Sequence, residues 1–311
     1  MTIDKMTSKI ILWVKVSRAE FFTASIIPVL VGTAVAFSAK GVFDPGLFLL
    51  ALFTVVALHA GGNLTNEYFD HKSGNDWLSE NPSPYSGGSQ IIQTGQLASG
   101  AVLLAALTCF SIAGLLGLII IIKTQSLLLL ALGVFGILAG FFYTAGPVRL
   151  VYRGFGEIFI AIAFGICPVF GSYYVQTLKL DFVPLAPACI IAMLVFLILL
   201  INEFPDLKAD AAVRKKTLPV RLGPGRAVWI YRVTLLATYI PAVIMLFSRQ
   251  TFLAGLLYLL SLPAAIFALK NSDVNSLLNP TRYISNKLTI LLHISAGVLI
   301  SIGLTIPSLL K

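Results

Sequence analysis

Two short acidic segments hold most of the chemistry available to this chain: Asn66-Glu67-Tyr68-Phe69-Asp70, and 136 residues later Asn202-Glu203-Phe204-Pro205-Asp206. Only 13 of the 311 residues are acidic, and at both places they gather where a long apolar stretch runs into a polar loop. On a helix His59, Asn63, Asn66 and Asp70, spaced by four, three and four, share one face. Asp76 follows Gly74, in a turn that can fold back toward Asp70. Asn202, Asp206 and Asp210 recur at intervals of four with Glu203 just ahead of Asp206, again one face, and Pro205 kinks or ends the helix and frees backbone carbonyls for water or ligand. An interhelical hydrogen bond explains His59 better than catalysis does. For Asp70 and Asp76 a solvated helix end is a poorer account, because Asn66 and Glu67 make a cluster with them. Carboxylates so close raise one another's pKa unless cations neutralise them. Mg²⁺ suits such a site, since it takes hard oxygen ligands and is shared between a few carboxylates and substrate phosphates, whereas no paired His or Cys ligands favour zinc. Brought together, Asp70, Asp76, Asp206 and Asp210 read as a metal–diphosphate clamp, with lipid-depth helices behind it able to take a long apolar tail.

The elements that must position these residues are membrane helices. With 58% hydrophobic residues, 11% charged residues and a mean hydropathy of +0.92, the chain is expected to be an all-α polytopic membrane protein. Nine apolar spans are predicted, near 21–38, 46–66, 101–122, 126–145, 155–177, 183–203, 229–247, 251–269 and 288–307, bundled around a central cavity. With the N-terminus inside, 17 of the Lys and Arg residues fall on the inner face and five on the outer, which predicts a cytoplasmic N-terminus and an active site on that side of a prokaryotic cell membrane. The net charge of +9 is mostly this topology and gives no reason to invoke nucleic acid. Residues 1–20 read as an interfacial amphipathic helix rather than a signal peptide, and no linker divides residues 1–311 into separate domains. Cys109, Cys167 and Cys189 lie inside spans with no metal-type spacing and read as packing residues. The basic run Arg214, Lys215, Lys216 and Arg221 is explained by charge count alone as an inner loop.

Asn66-x-x-x-Asp70 continued to Gly74-x-Asp76, with Asp206-x-x-x-Asp210 and Lys215-Lys216-Thr217-Leu218-Pro219-Val220-Arg221-Leu222-Gly223, closely resembles the UbiA superfamily of intramembrane prenyltransferases. The likeness runs through Tyr143-Thr144-Ala145-Gly146-Pro147, Gly154-Phe155-Gly156-Glu157 and Gly171 to Gln176-Thr177, and back to Arg18. The lengthened first motif and the Lys-Lys-Thr-Leu run look most like the branch that prenylates 1,4-dihydroxy-2-naphthoate for menaquinone. Asp76 stands in for the Asp that another branch places at Gly74, and Gln90 stands where many relatives have Arg. The resemblance implies that Asn66, Asp70, Asp76, Asp206 and Asp210 hold Mg²⁺ against the diphosphate of a polyprenyl donor. It also implies that Lys216, with Lys72, Arg149 or Arg153, stabilises the departing pyrophosphate, and that an aromatic acceptor attacks the allylic cation in a dry cavity. Tyr68 and Tyr143 are candidates for shielding that cation with their ring faces, though packing explains either equally well. Other acceptors of the superfamily, such as 4-hydroxybenzoate, another quinone precursor or a glyceryl phosphate lipid, stay open. A transporter is the rival of another class, but transporters bind near the midplane between inverted repeats, whereas here four spans separate two acidic motifs at one face.

Overall fold

The computed structural model describes residues 3–80, 82–279 and 281–310. Among these residues nine apolar helices form the body: α1 (Thr23–Lys40), α2 (Pro45–Ser73), α3 (Ser99–Thr124), α4 (Leu127–Phe142), α5 (Gly156–Thr177), α6 (Leu185–Asn202), α7 (Pro224–Met245), α8 (Phe252–Lys270) and α9 (Ile284–Leu309). Eight of the corresponding segments are long and apolar enough to cross a bilayer, and α4 is the shorter one at 16 residues. No strand occurs among the described residues, so the expected all-α class holds.

Local chemistry sets the ends. Asp44 accepts from the Leu47 N–H at 2.9 Å and Pro45 sits where its missing N–H costs nothing, which starts α2. Gly74, at φ 83°, ends it in the left-handed conformation. The second span is therefore longer than its apolar stretch predicts, and Asn66 and Asp70 stand on its last helical turns, on the helix their spacing implies. The seventh span begins at Pro224 rather than near 229, and Arg232 lies within it because its guanidinium donates to the Ser272 hydroxyl at 3.1 Å and carbonyl at 2.9 Å.

The main core joins α1, α5, α6, α7, α8 and α9 through fully buried residues such as Tyr173, Leu194, Leu197, Tyr231, Tyr258 and Leu292. Between membrane helices close approach depends on small residues. At Gly165, inside a π-helical turn of α5 (Ile162–Ile166), a Cβ would run into the backbone of Ala192 on α6. Leu104, Leu115 and Ile122 of α3 point outward as a lipid-facing stripe. In the N-terminal helix Ile3–Val16, Ile10, Ile11 and Val14 are exposed, while Leu12, Trp13 and Val16 pack on Leu64, Ile91 and Val102. The three cysteines are free and partly buried.

Candidate active site

The end of α2, the loop from Asp76 to Gln93 and the segment Glu203–Thr217 converge. Asn66 Nδ2 donates to Asp70 Oδ2 at 3.1 Å and to Thr144 Oγ1 at 3.3 Å. Asn75 Nδ2 donates to Asp210 Oδ1 at 3.2 Å, which joins the two acidic motifs directly. The Gly87 N–H donates to Asp206 Oδ2 at 3.0 Å, and Gln93 Nε2 to Asp76 Oδ2 at 3.0 Å. Gly88, at φ 69°, lies so close to Asp76 that a Cβ would fall 2.6 Å from its carboxylate. Lys215 is buried between the motifs, its Nζ donating to Asp70 Oδ2 at 2.7 Å and standing 3.7 Å from Asp210 Oδ1.

One lysine does not balance this much charge. Burial, then Asp70 and Glu67, pushes Asp76 up to about 8; burial, then Asp210, pushes Asp206 up to about 7. Burial raises Asp210 as well, against the pull of Lys215. Burial works against the charge on Lys215 and Arg18, yet the surrounding carboxylates, Asp70 first for Lys215 and Glu67 first for Arg18, hold both above their ordinary values. Asp70 Oδ1, Asn75 Oδ1 and Glu203 Oε2 are buried with no hydrogen-bond partner, a costly arrangement unless a ligand completes it.

These groups cap one end of a cavity of about 350 Å³ that runs down between α1, α2, α4, α5 and α6, with one side of α3 contributing near the far end. Arg18, Asn66, Asp70, Asp76, Asp206 and Asp210 all line its polar end; the walls below are apolar, among them Leu58, Leu132, Phe135, Phe159 and Ile198. With a cation set against its carboxylates, such a space could take a molecule with an anionic head and a long hydrocarbon body.

Residues 25–282 match the UbiA prenyltransferase family. The chain belongs to that family. It is 32% identical over 296 residues to the 1,4-dihydroxy-2-naphthoate octaprenyltransferase of Bacillus subtilis (strain 168), covering 95% of this chain and 92% of that protein. It is 28% identical to the 2-carboxy-1,4-naphthoquinone phytyltransferase of Synechocystis sp., over 94% and 92% of the two chains. Its fold is similar to that of a UbiA homolog from Archaeoglobus fulgidus bound to DMAPP and Mg²⁺, with a TM-score of 0.65, 15% identity and 94% of this chain covered against 99% of the other.

As a UbiA prenyltransferase the protein is an enzyme, and its cavity can be compared with the residues predicted for it. The structure brings together Asn66, Asp70, Asp76, Asp206, Asp210, Arg18 and Tyr143, all of which line the cavity. It leaves out four cations and one tyrosine. Lys216 is exposed, and its neighbour Lys215 points inward instead: Arg214 at φ 63° turns the chain, and in the non-helical segment that follows successive side chains alternate sides. Lys72 is exposed and sits over the Tyr68 ring at 5.9 Å; both lie on the side of α2 away from Asp70, where Tyr68 packs edge-on against Phe69. Arg149 and Arg153 are exposed as well, Arg149 over Tyr152 and Arg153 donating to the Val148 carbonyl at 2.6 Å. Gln90 braces the loop by donating to the Asp76 and Gly87 carbonyls.

Glu67 does not line the cavity. It accepts from the Ser89 N–H and hydroxyl and pairs with Arg18 at 3.0 Å, so it ties the loop and the start of α1 to α2. His59 is buried lower down, bonded to Ser25 Oγ at 2.8 Å between the rings of Phe22 and Phe164, in keeping with its reading as an interhelical group. Lys215, Asn75 and Gly88 are the functional positions that sequence reasoning missed. Only Lys215 had a signal, as part of the Lys-Lys-Thr run.

Proposed function

We propose that this enzyme transfers the prenyl group of a polyprenyl diphosphate to an aromatic acceptor of the 1,4-dihydroxy-2-naphthoate type, as its naphthoate-prenylating relatives are named for doing. The observation that carries the reading is the buried carboxylate cluster with unpartnered oxygens capping an otherwise apolar cavity. The donor set fits Mg²⁺: all the ligands are hard oxygens, and among the described residues no three acidic or His/Cys side chains enclose an ion unaided. That is the usual situation of Mg²⁺, which completes its shell with water and substrate phosphates. Asp70, Asp76, Asp206 and Asp210, with the Asn66 amide, would hold it. Bound there, Mg²⁺ supplies positive charge to neutralise the diphosphate as it departs.

The protein's own groups do the rest. Lys215 retains ammonium donors beyond its bond to Asp70 and offers them to the leaving pyrophosphate, inside a site of low dielectric where they count most. Arg18, held against Glu67, adds a second cation at the rim. When the C–O bond breaks, the electron pair leaves with pyrophosphate, and the apolar walls keep water from the allylic cation until the acceptor's ring carbon attacks; that carbon then sheds the group it carried, a proton or its carboxylate as CO₂, and the ring regains its aromaticity. Tyr143 lines the cavity, and its ring face would stabilise the cation. The excess of Lys and Arg on the loops of one face supports a cytoplasmic placement of the cluster, in a prokaryotic cell membrane, with the whole chain working as one membrane unit.

Purified protein in lipid nanodiscs, given labelled prenyl diphosphate and Mg²⁺ with 1,4-dihydroxy-2-naphthoate, 4-hydroxybenzoate or a glyceryl phosphate in turn, tests this reading. The prenylated naphthoate should dominate by mass spectrometry. Exclusive prenylation of either other acceptor would overturn the assignment of acceptor, and transfer to none would overturn the donor as well.

A further inference from the structure

The apolar half of the cavity is shaped by side chains that are missing where packing does not require it. At Gly136 and Gly140 of α4 a Cβ would press on Leu58 at 2.9 Å and on Phe110 at 3.0 Å, so these glycines serve helix contact. Gly133 of α4 and Gly117 of α3 differ. Both lie inside their helices, both line the cavity, and a Cβ at either would meet no atom within 4 Å. Glycine weakens a helix interior relative to alanine, so two glycines facing open space contribute through the space itself.

That space belongs to a built site with a defined head and floor. At the head, Asp70 Oδ1 and Glu203 Oε2 are buried and unpartnered. At the floor Ala51, Ile120, Leu129 and Val175 line the cavity and close on one another around Val29. Ala51 is about 28 Å from Asp70 along α2, at about 1.5 Å per residue. Gly133 lies one turn from Leu129 along α4, about 6 Å above it by the same measure. Gly117 lies one turn from Ile120, near the floor.

We propose that Gly133 and Gly117, one turn above the floor on facing helices, together set the length of prenyl chain the enzyme accepts by leaving the cavity open at that depth. The inference rests on the prenyl donor proposed above and adds to it a ruler built from two helices. A side chain at either position shortens the cavity near its floor, so long donors are excluded while short ones still fit.

The test measures kcat/KM of wild type, Gly133→Leu, Gly117→Leu and Gly225→Leu with geranyl, geranylgeranyl and octaprenyl diphosphates and one acceptor. Gly225 is equally open but lies outside the cavity, so its variant should follow wild type. Gly133→Leu should stay within about threefold of wild type on geranyl diphosphate and lose about tenfold or more on octaprenyl diphosphate, the scale on which a hydrophobic pocket rejects excess bulk. Gly117→Leu should show the same pattern, since it closes the cavity at the same depth from the facing helix. The alanine variants of both positions should move the profile the same way by less, and they answer the question if a leucine variant does not fold. A donor-length profile unchanged from wild type in the folded variants would overturn the proposal. A wild-type enzyme that transfers none of the donors would instead overturn the donor reading, and the ruler with it.

Discussion

Lys215 is the residue on which the electrostatics of the cavity turns, because it is the buried cation between Asp70 and Asp210. Removing it leaves two buried carboxylates uncompensated and takes a donor from the leaving group, so Lys215→Met should lower kcat/KM about a hundredfold or more. Lys216→Met should remain within about twofold, as exposed substitutions do. Steady-state kinetics of the two variants side by side checks this, and an equal loss in both would contradict the assignment of roles. The carboxylates themselves were legible in the sequence, since a helical period places Asn66 and Asp70 together. Tyr68 and Lys72, two residues away from each of these in turn, had to point elsewhere. The direction of Lys215 was not legible, because it depends on the left-handed backbone of Arg214 and not on spacing. The raised carboxyls also have a pH signature. Asp76 and Asp206 are held above their unfolded values, at about 8 and about 7, so their favourable contribution to folding is complete below about pH 4 and is lost as pH rises through those values. A cation ligand must be deprotonated, so Mg²⁺ should bind more weakly as pH falls below the same range. Thermal unfolding with and without Mg²⁺ should therefore show a larger stabilisation by the ion at about pH 8.5 than at about pH 6; an equal shift at both would argue against these groups as ligands.

At the scale of elements, the loop between α2 and α3 does more than connect. Its Gly87 N–H holds Asp206, its Ser89 holds Glu67, and its Gln93 holds Asp76, so one stretch of backbone sets the geometry of both acidic motifs. Gly88 is the point where this loop passes closest to a carboxylate. Gly88→Ala should displace Asp76 and cost about tenfold or more in kcat, with the fold retained, because a small displacement of a charged group in a preorganised site is expensive. Wild-type kcat in a folded Gly88→Ala protein would show that the Asp76 position tolerates movement. Spans are easy to read from hydropathy, and seven of the nine were placed within a few residues at both ends. The exceptions are informative: α2 continues to Ser73 because its polar last turns face the cavity and nothing stops the helix before Gly74, and α7 starts early because Ser272 satisfies Arg232. The loop's bracing contacts have no period and left no trace in the sequence.

For the whole molecule, the decisive arrangement is the meeting of two motifs more than 130 residues apart at one mouth of one apolar cavity. Neither motif alone makes the site: Asp70 is bonded to Asn66 and Lys215, and Asp210 to Asn75 and Thr217, so each half is held by a residue from the other or from the loops between. The pairing of motifs was visible as a repetition and the shared face followed from the four spans between them, while the cavity's depth and its open glycines depend on which helices touch. If the two motifs form one Mg²⁺–diphosphate site, loss of either should abolish transfer without unfolding the bundle. The most direct measurement is the Mg²⁺ dependence of prenyl transfer by purified wild type, Asp70→Ala and Asp206→Ala, each checked for folding by its thermal transition. Both variants should fold and fall to about a hundredth of wild-type turnover or less at saturating Mg²⁺. Turnover at the wild-type level in either one, with an unchanged requirement for Mg²⁺, would contradict a shared metal site.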